Sequence, residues 1–160
     1  MFRDRLWIAP LLLLFCASSL LAKSHTPKLN TRHDIKEYVE DAAKVVKKSG
    51  AAAACDTFKG PDWMAGDYYV FIDDPETNKI LCHPTASMVG KSNADIVDAR
   101  GKKVGLDLME ASKKHGGGWT EYVWPRPGTD KPVPKSTYTM RVKGPDKKWY
   151  VVGAGGYEVK

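Results

Sequence analysis

Gly66-Asp67-Tyr68-Tyr69-Val70-Phe71-Ile72, a turn from Asp73 to Asn78, then Lys79-Ile80-Leu81-Cys82-His83-Pro84 is the stretch that decides the fold. Asp67 to Ile72 is rich in aromatic and β-branched side chains, Pro75 marks the turn, and Lys79 to Pro84 returns as a second apolar run. The pair reads as a β-hairpin. Within it, neighbouring strand residues point to opposite faces, so Cys82 and His83 cannot form an intimate dyad. If Cys82 faces one side of the sheet, His83 faces the other, and Pro84 keeps His83 extended.

Upstream of the hairpin, Thr31-Arg32-His33-Asp34 has the spacing of a capping box. Ile35, Tyr38, Val39, Ala42, Val45 and Val46 then recur three and four apart. This predicts an amphipathic helix from about Thr31 to Ala54, with Gly50 as a candidate break and Gly60-Pro61 as the stop. Downstream, Thr85 to Gly105 is polar and glycine-containing. Leu106 to His115 reads as a short helix ended by Gly116-Gly117-Gly118, and the two together read as a helical flap. Three further strands are expected at Trp119 to Trp124, Ser136 to Val142 and Trp149 to Tyr157, separated by the Pro125 to Pro134 loop and by Lys143 to Lys148. The loop-length connections make the five strands antiparallel, an α+β arrangement with the long helix covering one face of the sheet.

A chain of 160 residues fits one domain, and 42% hydrophobic against 28% charged residues is enough to build a core. The first residues are set aside from the fold. Arg3 and Arg5, an apolar run from Leu6 to Phe15 and small residues ending near Ala22 follow the pattern of a secretory leader. The run is shorter than the roughly 20 residues of a membrane span, an uncleaved anchor being the alternative. Processing at 22 leaves residues 23–160 as the mature domain, on the periplasmic side. Losing two cations and one anion with the leader lowers the net charge from +6 to +5. The lysines are scattered among acids, which excludes the basic stripe of a nucleic-acid binder. Cys55 and Cys82 survive processing, and in an exported chain an even pair points to a disulfide, with two buried thiols as the alternative.

Catalytic and cofactor motifs do not hold up. Gly90-Lys91-Ser92 resembles the tail of a phosphate-binding loop, but Thr85 stands where the loop needs its first glycine. Gly153-Ala154-Gly155-Gly156 has no helix after it to receive a pyrophosphate. His25, His33, His83 and His115 lack paired metal spacing, so no cofactor and no metal are implied. Trp119 to Pro127 and the return at Lys135-Ser136-Thr137-Tyr138 bring indoles, phenols and two cations to one end of the sheet. That is the chemistry a small carboxylate needs. The competing reading makes the rings core and the cations solvated.

The order Gly66 to Phe71, Cys82-His83-Pro84, Val89-Gly90-Lys91, Gly117-Gly118-Trp119, Tyr122, Trp124-Pro125-Arg126-Pro127, Lys135 to Tyr138 and Val152 to Tyr157 resembles the single Cache domain, type 2. The resemblance runs from about Thr31 to the C-terminus. It implies a PAS-like fold, a long helix on a sheet whose other face holds a pocket for a small organic acid such as acetate, lactate or pyruvate. By that resemblance the pocket residues are Tyr69, His83, Tyr122, Trp124, Arg126, Lys135 and Tyr138. Lys135 balances the carboxylate and Tyr138 donates a hydrogen bond. Trp63 either caps the pocket or closes the helix-to-strand loop. Family members usually sit between membrane segments of chemoreceptors or histidine kinases. With its C-terminus at Lys160, this chain is expected to be a solitary exported sensor module whose partner is a membrane-bound receptor or kinase. An enzyme using His83 as general base lacks a nucleophile and an orienting group. A structural protein with a degenerate pocket is the other alternative.

Overall fold

The computed structural model describes residues 29–64 and 66–159, so the leader read at 1–22 lies outside the described residues. Helix α1 (Arg32–Phe58) is capped reciprocally. The Thr31 hydroxyl accepts from the Asp34 N–H at 3.1 Å and the Asp34 carboxylate accepts from the Thr31 N–H at 2.9 Å. Ile35, Tyr38, Val39, Ala42 and Val46 form its buried stripe. Gly50, at φ 81°, adopts a left-handed conformation open to a residue without Cβ and splits α1 into two segments.

Five strands, β1 (Val70–Asp74), β2 (Lys79–Cys82), β3 (Gly118–Pro125), β4 (Pro132–Lys143) and β5 (Trp149–Tyr157), form one antiparallel sheet in the order β2-β1-β5-β4-β3. The last strand is therefore central, and every residue of it after Trp149 is buried. One face carries Val70, Ile72, Tyr138, Val142, Tyr150, Val152 and Ala154 against α1. The other carries Tyr69, Phe71, Ile80 and Tyr122 against a flap made of two single-turn 3₁₀ segments (Ala86–Met88, Asn93–Asp95) and helix α2 (Val104–Ala111). The Thr139 hydroxyl donates to the Leu108 carbonyl at 2.9 Å, tying α2 to the sheet.

Element boundaries differ from the sequence reading for local reasons. Strand β1 extends through Asp73 and Asp74, which had been assigned to the turn. Only Asp74 has turn chemistry, its Oδ1 accepting from the N–H groups of Glu76 and Thr77. Strand β4 begins at Pro132, inside the stretch read as a loop. Pro134 presents its backbone toward β5, where its carbonyl accepts from Glu158 N–H just past the end of that strand, so few ladder donors are forfeited. Helix α2 spans Val104–Ala111 rather than Leu106 to His115. Its start is fixed by the approach of Gly105 to the Asn93 carbonyl, which a Cβ would meet at 2.1 Å.

A bulge decides which face each residue of β2 serves. Ile72 pairs with Cys82 and Asp73 with Ile80, leaving Leu81 as the extra residue. Ile80 thereby faces the flap while Cys82 faces α1, where it forms a disulfide with Cys55 across a Cα–Cα distance of 5.6 Å. His83 then falls on the flap side, against Tyr69.

The glycines of β5 make room rather than turns. A Cβ on Gly153 would lie 2.2 Å from the Phe71 ring, and one on Gly155 would lie 3.0 Å from Lys135 Cε. The Phe71 ring can therefore sit directly over Gly153, and the Lys135 stem can pass close to Gly155. Gly153→Ala is expected to destabilise the protein by about 2 kcal/mol through overpacking, read as a lower urea midpoint. An unchanged midpoint would refute the tight contact.

Candidate ligand-binding site

Between sheet and flap lies a cavity of about 40 Å³. Its floor is Tyr69, just before β1, Phe71 and Asp73 of β1, and Ile80 of β2. Its roof is Met88, Asn93, Ile96, Val104 and Leu108 of the flap, and Tyr122 and Trp124 of β3 form a wall. One water needs roughly 10–15 Å³ of such space, so this one suits a molecule of a few heavy atoms. A larger outer cavity of about 440 Å³ adjoins it, lined by Tyr68, Arg126, Pro127 and Tyr157 among others. Tyr69, His83, Met88 and Trp124 line both and form the partition between them.

Behind that partition lies an unusual cation. Lys135 is 3% exposed, and its ammonium donates to the Tyr69 hydroxyl at 2.8 Å. It lies 4.4 Å from the centre of the Tyr69 ring and 4.8 Å from that of Tyr157. Burial lowers its pKa, with the Tyr157 phenol and Asp67 acting in the opposite sense. Among the described residues no carboxylate forms an ion pair with it; Asp67 is engaged by Arg126. A buried ammonium held by phenols alone lacks its counter-anion.

The other candidates divide clearly. Tyr122 is buried, with its hydroxyl 2.8 Å from Thr137 Oγ1. His83 Nδ1 accepts from the Thr85 N–H at 3.0 Å, so the proton of the neutral ring sits on Nε2. Burial, together with the charge of Lys135, pushes the His83 pKa down to about 4, so the ring is neutral at pH 7 and has no free basic nitrogen. Arg126 serves the outer cavity. It pairs with Asp67 and, at 2.7 Å, with Glu158, and lies 4.9 Å from the Tyr157 ring centre. Its charge is already neutralised.

Tyr138 is not part of this constellation. It is three residues from Lys135, an odd spacing in a strand, so it faces α1, packs against Trp119 with the ring centres 5.2 Å apart and tilted, and donates to the Gly116 carbonyl. Trp63 also lies on the α1 side, against Tyr38 and Phe58, and closes the helix-to-strand loop. Sequence reasoning missed Asp73 and Asn93, both buried and both in the cavity wall. Tyr157 was missed as well, although its place as the last residue of β5 beside Lys135 follows from the strand register.

The fold and the cavity belong to a known class of protein. A profile of the single Cache domain 2 family matches residues 21–158, and the chain belongs to that family. The sensor histidine kinase MctS of Rhizobium johnstonii is 36% identical over 92 residues, 57% of this chain but only 19% of the kinase. A methyl-accepting chemotaxis protein of Vibrio parahaemolyticus superposes with a TM-score of 0.63 at 25% identity, covering 78% of this chain and 86% of that one. A Cache chemosensory domain whose structure is described as the structural basis for carboxylic acid recognition superposes with a TM-score of 0.62 at 24% identity, over 79% and 92% of the two chains. The protein is thus a Cache sensor domain of the kind carried by chemoreceptors and histidine kinases.

Proposed function

We propose that the domain works on the periplasmic side of the membrane, captures a small monocarboxylate in the inner cavity and passes the bound state to a membrane-bound receptor or kinase. The carrying observation is Lys135, a fully enclosed ammonium with phenols for partners beside a cavity of a few heavy atoms. An anion next to Tyr69 and Tyr122 restores the missing negative charge, and the neutral His83 Nε2–H is a further donor at the partition. The aromatic walls keep the site dry, so each hydrogen bond acts at low dielectric.

A ligand of about six heavy atoms has a ceiling near −9 kcal/mol, which places affinities between micromolar and millimolar. Isothermal titration with acetate, propionate, lactate and pyruvate tests the reading. Lys135→Met, which keeps the stem and removes the charge, is expected to weaken the tightest of them about ten- to a hundredfold, the value of a charge-assisted hydrogen bond. Unchanged affinity in that variant would take the anion away from Lys135, and no heat from any of the four acids would refute the carboxylate assignment.

A further inference from the structure

Two buried polar groups in the inner cavity face each other without completing a hydrogen bond. Asp73 is 1% exposed and Asn93 is 2% exposed. Both line the cavity, and neither Asp73 Oδ1 nor Asn93 Nδ2 has a hydrogen-bond partner. Buried polar atoms are nearly always satisfied, so each unsatisfied one calls for an explanation. Asp98, the other buried acid of the flap region, shows what a structural carboxylate looks like here. Its Oδ1 accepts from the N–H groups of Arg100 and Lys102, and its Oδ2 accepts from that of Val123. Asp73 has no such clamp. It stands four residues beyond Tyr69, which immediately precedes β1, and lines the same cavity, with Phe71 lying between them.

We infer that Asp73 and Asn93 form a second polar subsite of this cavity, which takes the hydroxyl of a small hydroxy acid whose carboxylate lies toward Tyr69 and Lys135. This rests on the carboxylate reading above and adds what stands on the ligand's other end. The choice of hydroxyl follows from the groups offered. The Asn93 amide donates, and Asp73 Oδ1 accepts whenever the acid is ionised. A hydroxyl both accepts and donates, and so satisfies the pair in either protonation state of the acid. An oxo group can only accept, so it satisfies the pair only while Asp73 carries its proton, and an ammonium can only donate, leaving Asn93 Nδ2 facing a cation. A methyl group leaves both atoms bare in a dry site, and recognition sites built from buried polar groups reject the analogue that cannot pair with them.

The test compares each hydroxy acid with its deoxy parent on the intact domain by isothermal titration: lactate with propionate, and 3-hydroxybutanoate with butanoate. At least one hydroxy acid is expected to bind about tenfold or more tightly than its deoxy parent. In Asp73→Leu, which exchanges an unsatisfied acid for an apolar side chain of similar size, the ratio of hydroxy-acid to parent affinity is expected to fall to within about twofold, whatever the change in the parent's own affinity. Asn93→Ala is the second variant and is expected to lose most of the same preference. Hydroxy acids binding no better than their parents would overturn the subsite while leaving the carboxylate reading intact. So would a preference that survives both substitutions. If no acid binds at all, both fail together.

Discussion

Asp73→Asn is expected to become more stable relative to wild type as pH rises, by about 3 kcal/mol between pH 5 and pH 7. Burial pushes the Asp73 carboxyl up to about 8 from 3.8, with the nearby Asn93 side chain pulling weakly the other way. In this window the native state holds a proton that the unfolded chain has released. Each pH unit therefore costs the folded protein about 1.4 kcal/mol, and the contribution of Asp73 is full below about 4 and lost as pH approaches 8. His83 has the opposite sign. Its folded pKa of about 4 lies below the ordinary 6.5, so its contribution is full above 6.5 and lost as pH falls toward 4. Between pH 4 and 6.5 the two slopes offset each other, and the wild-type profile alone would look flat. Subtracting the Asp73→Asn profile cancels His83 and Lys135 and leaves Asp73. Urea titrations of both proteins at half-unit steps measure the difference. Parallel curves would mean that Asp73 ionises normally and lies in water.

That residue also shows where the sequence stops being legible. The helix could be read because its cap and its apolar period are written in adjacent residues, Thr31 to Asp34 and Ile35 to Val46. The opposite orientations of Cys82 and His83 could be read because strand parity needs only neighbours. Asp73-Asp74 could not be divided between strand and turn. Aspartate is a typical turn residue, and Asp73 is drawn into the strand only by its pairing with Val151 of β5 and Ile80 of β2. Parity alone separates Tyr138 from Lys135, since the two stand an odd number of residues apart in one strand, whereas the resemblance that placed both in the pocket carries no parity. Asn93 was out of reach. Its burial depends on a 3₁₀ turn held to Asn78 by its N–H at 2.8 Å and pressed against Gly105, contacts that no local pattern encodes. Helix face and strand parity are short-range properties, whereas the inside of a flap is set by how a long irregular segment packs.

Opening the Cys55–Cys82 bond is expected to lower stability by about 3 to 4 kcal/mol. The bond closes a loop of 27 residues' separation, and holding such a loop shut removes conformational freedom from the unfolded chain by about that amount in the chain-entropy model. The location sharpens the consequence. Strand β2 is four residues long and interrupted by a bulge, with β1 on one edge and on the other only a short stretch of the flap, where Ile80 N–H donates to the Lys91 carbonyl at 3.0 Å, so its ladder alone holds it weakly. The disulfide fastens it to α1 on one side of the sheet, and His83, the next residue, sits in the partition of the pocket on the other. Loosening β2 therefore frees a pocket wall as well as destabilising the fold. Oxidised and reduced wild type, with Cys55→Ala/Cys82→Ala as the variant that needs no reductant, are compared by urea unfolding and by titration with the tightest acid. Both broken forms are expected to lose the stated stability and to bind several-fold more weakly. A loss below about 1 kcal/mol would show that packing of β2 on β1 carries the edge without the bond, and unchanged affinity would show that His83 is positioned by the flap through Thr85 rather than from behind by Cys82.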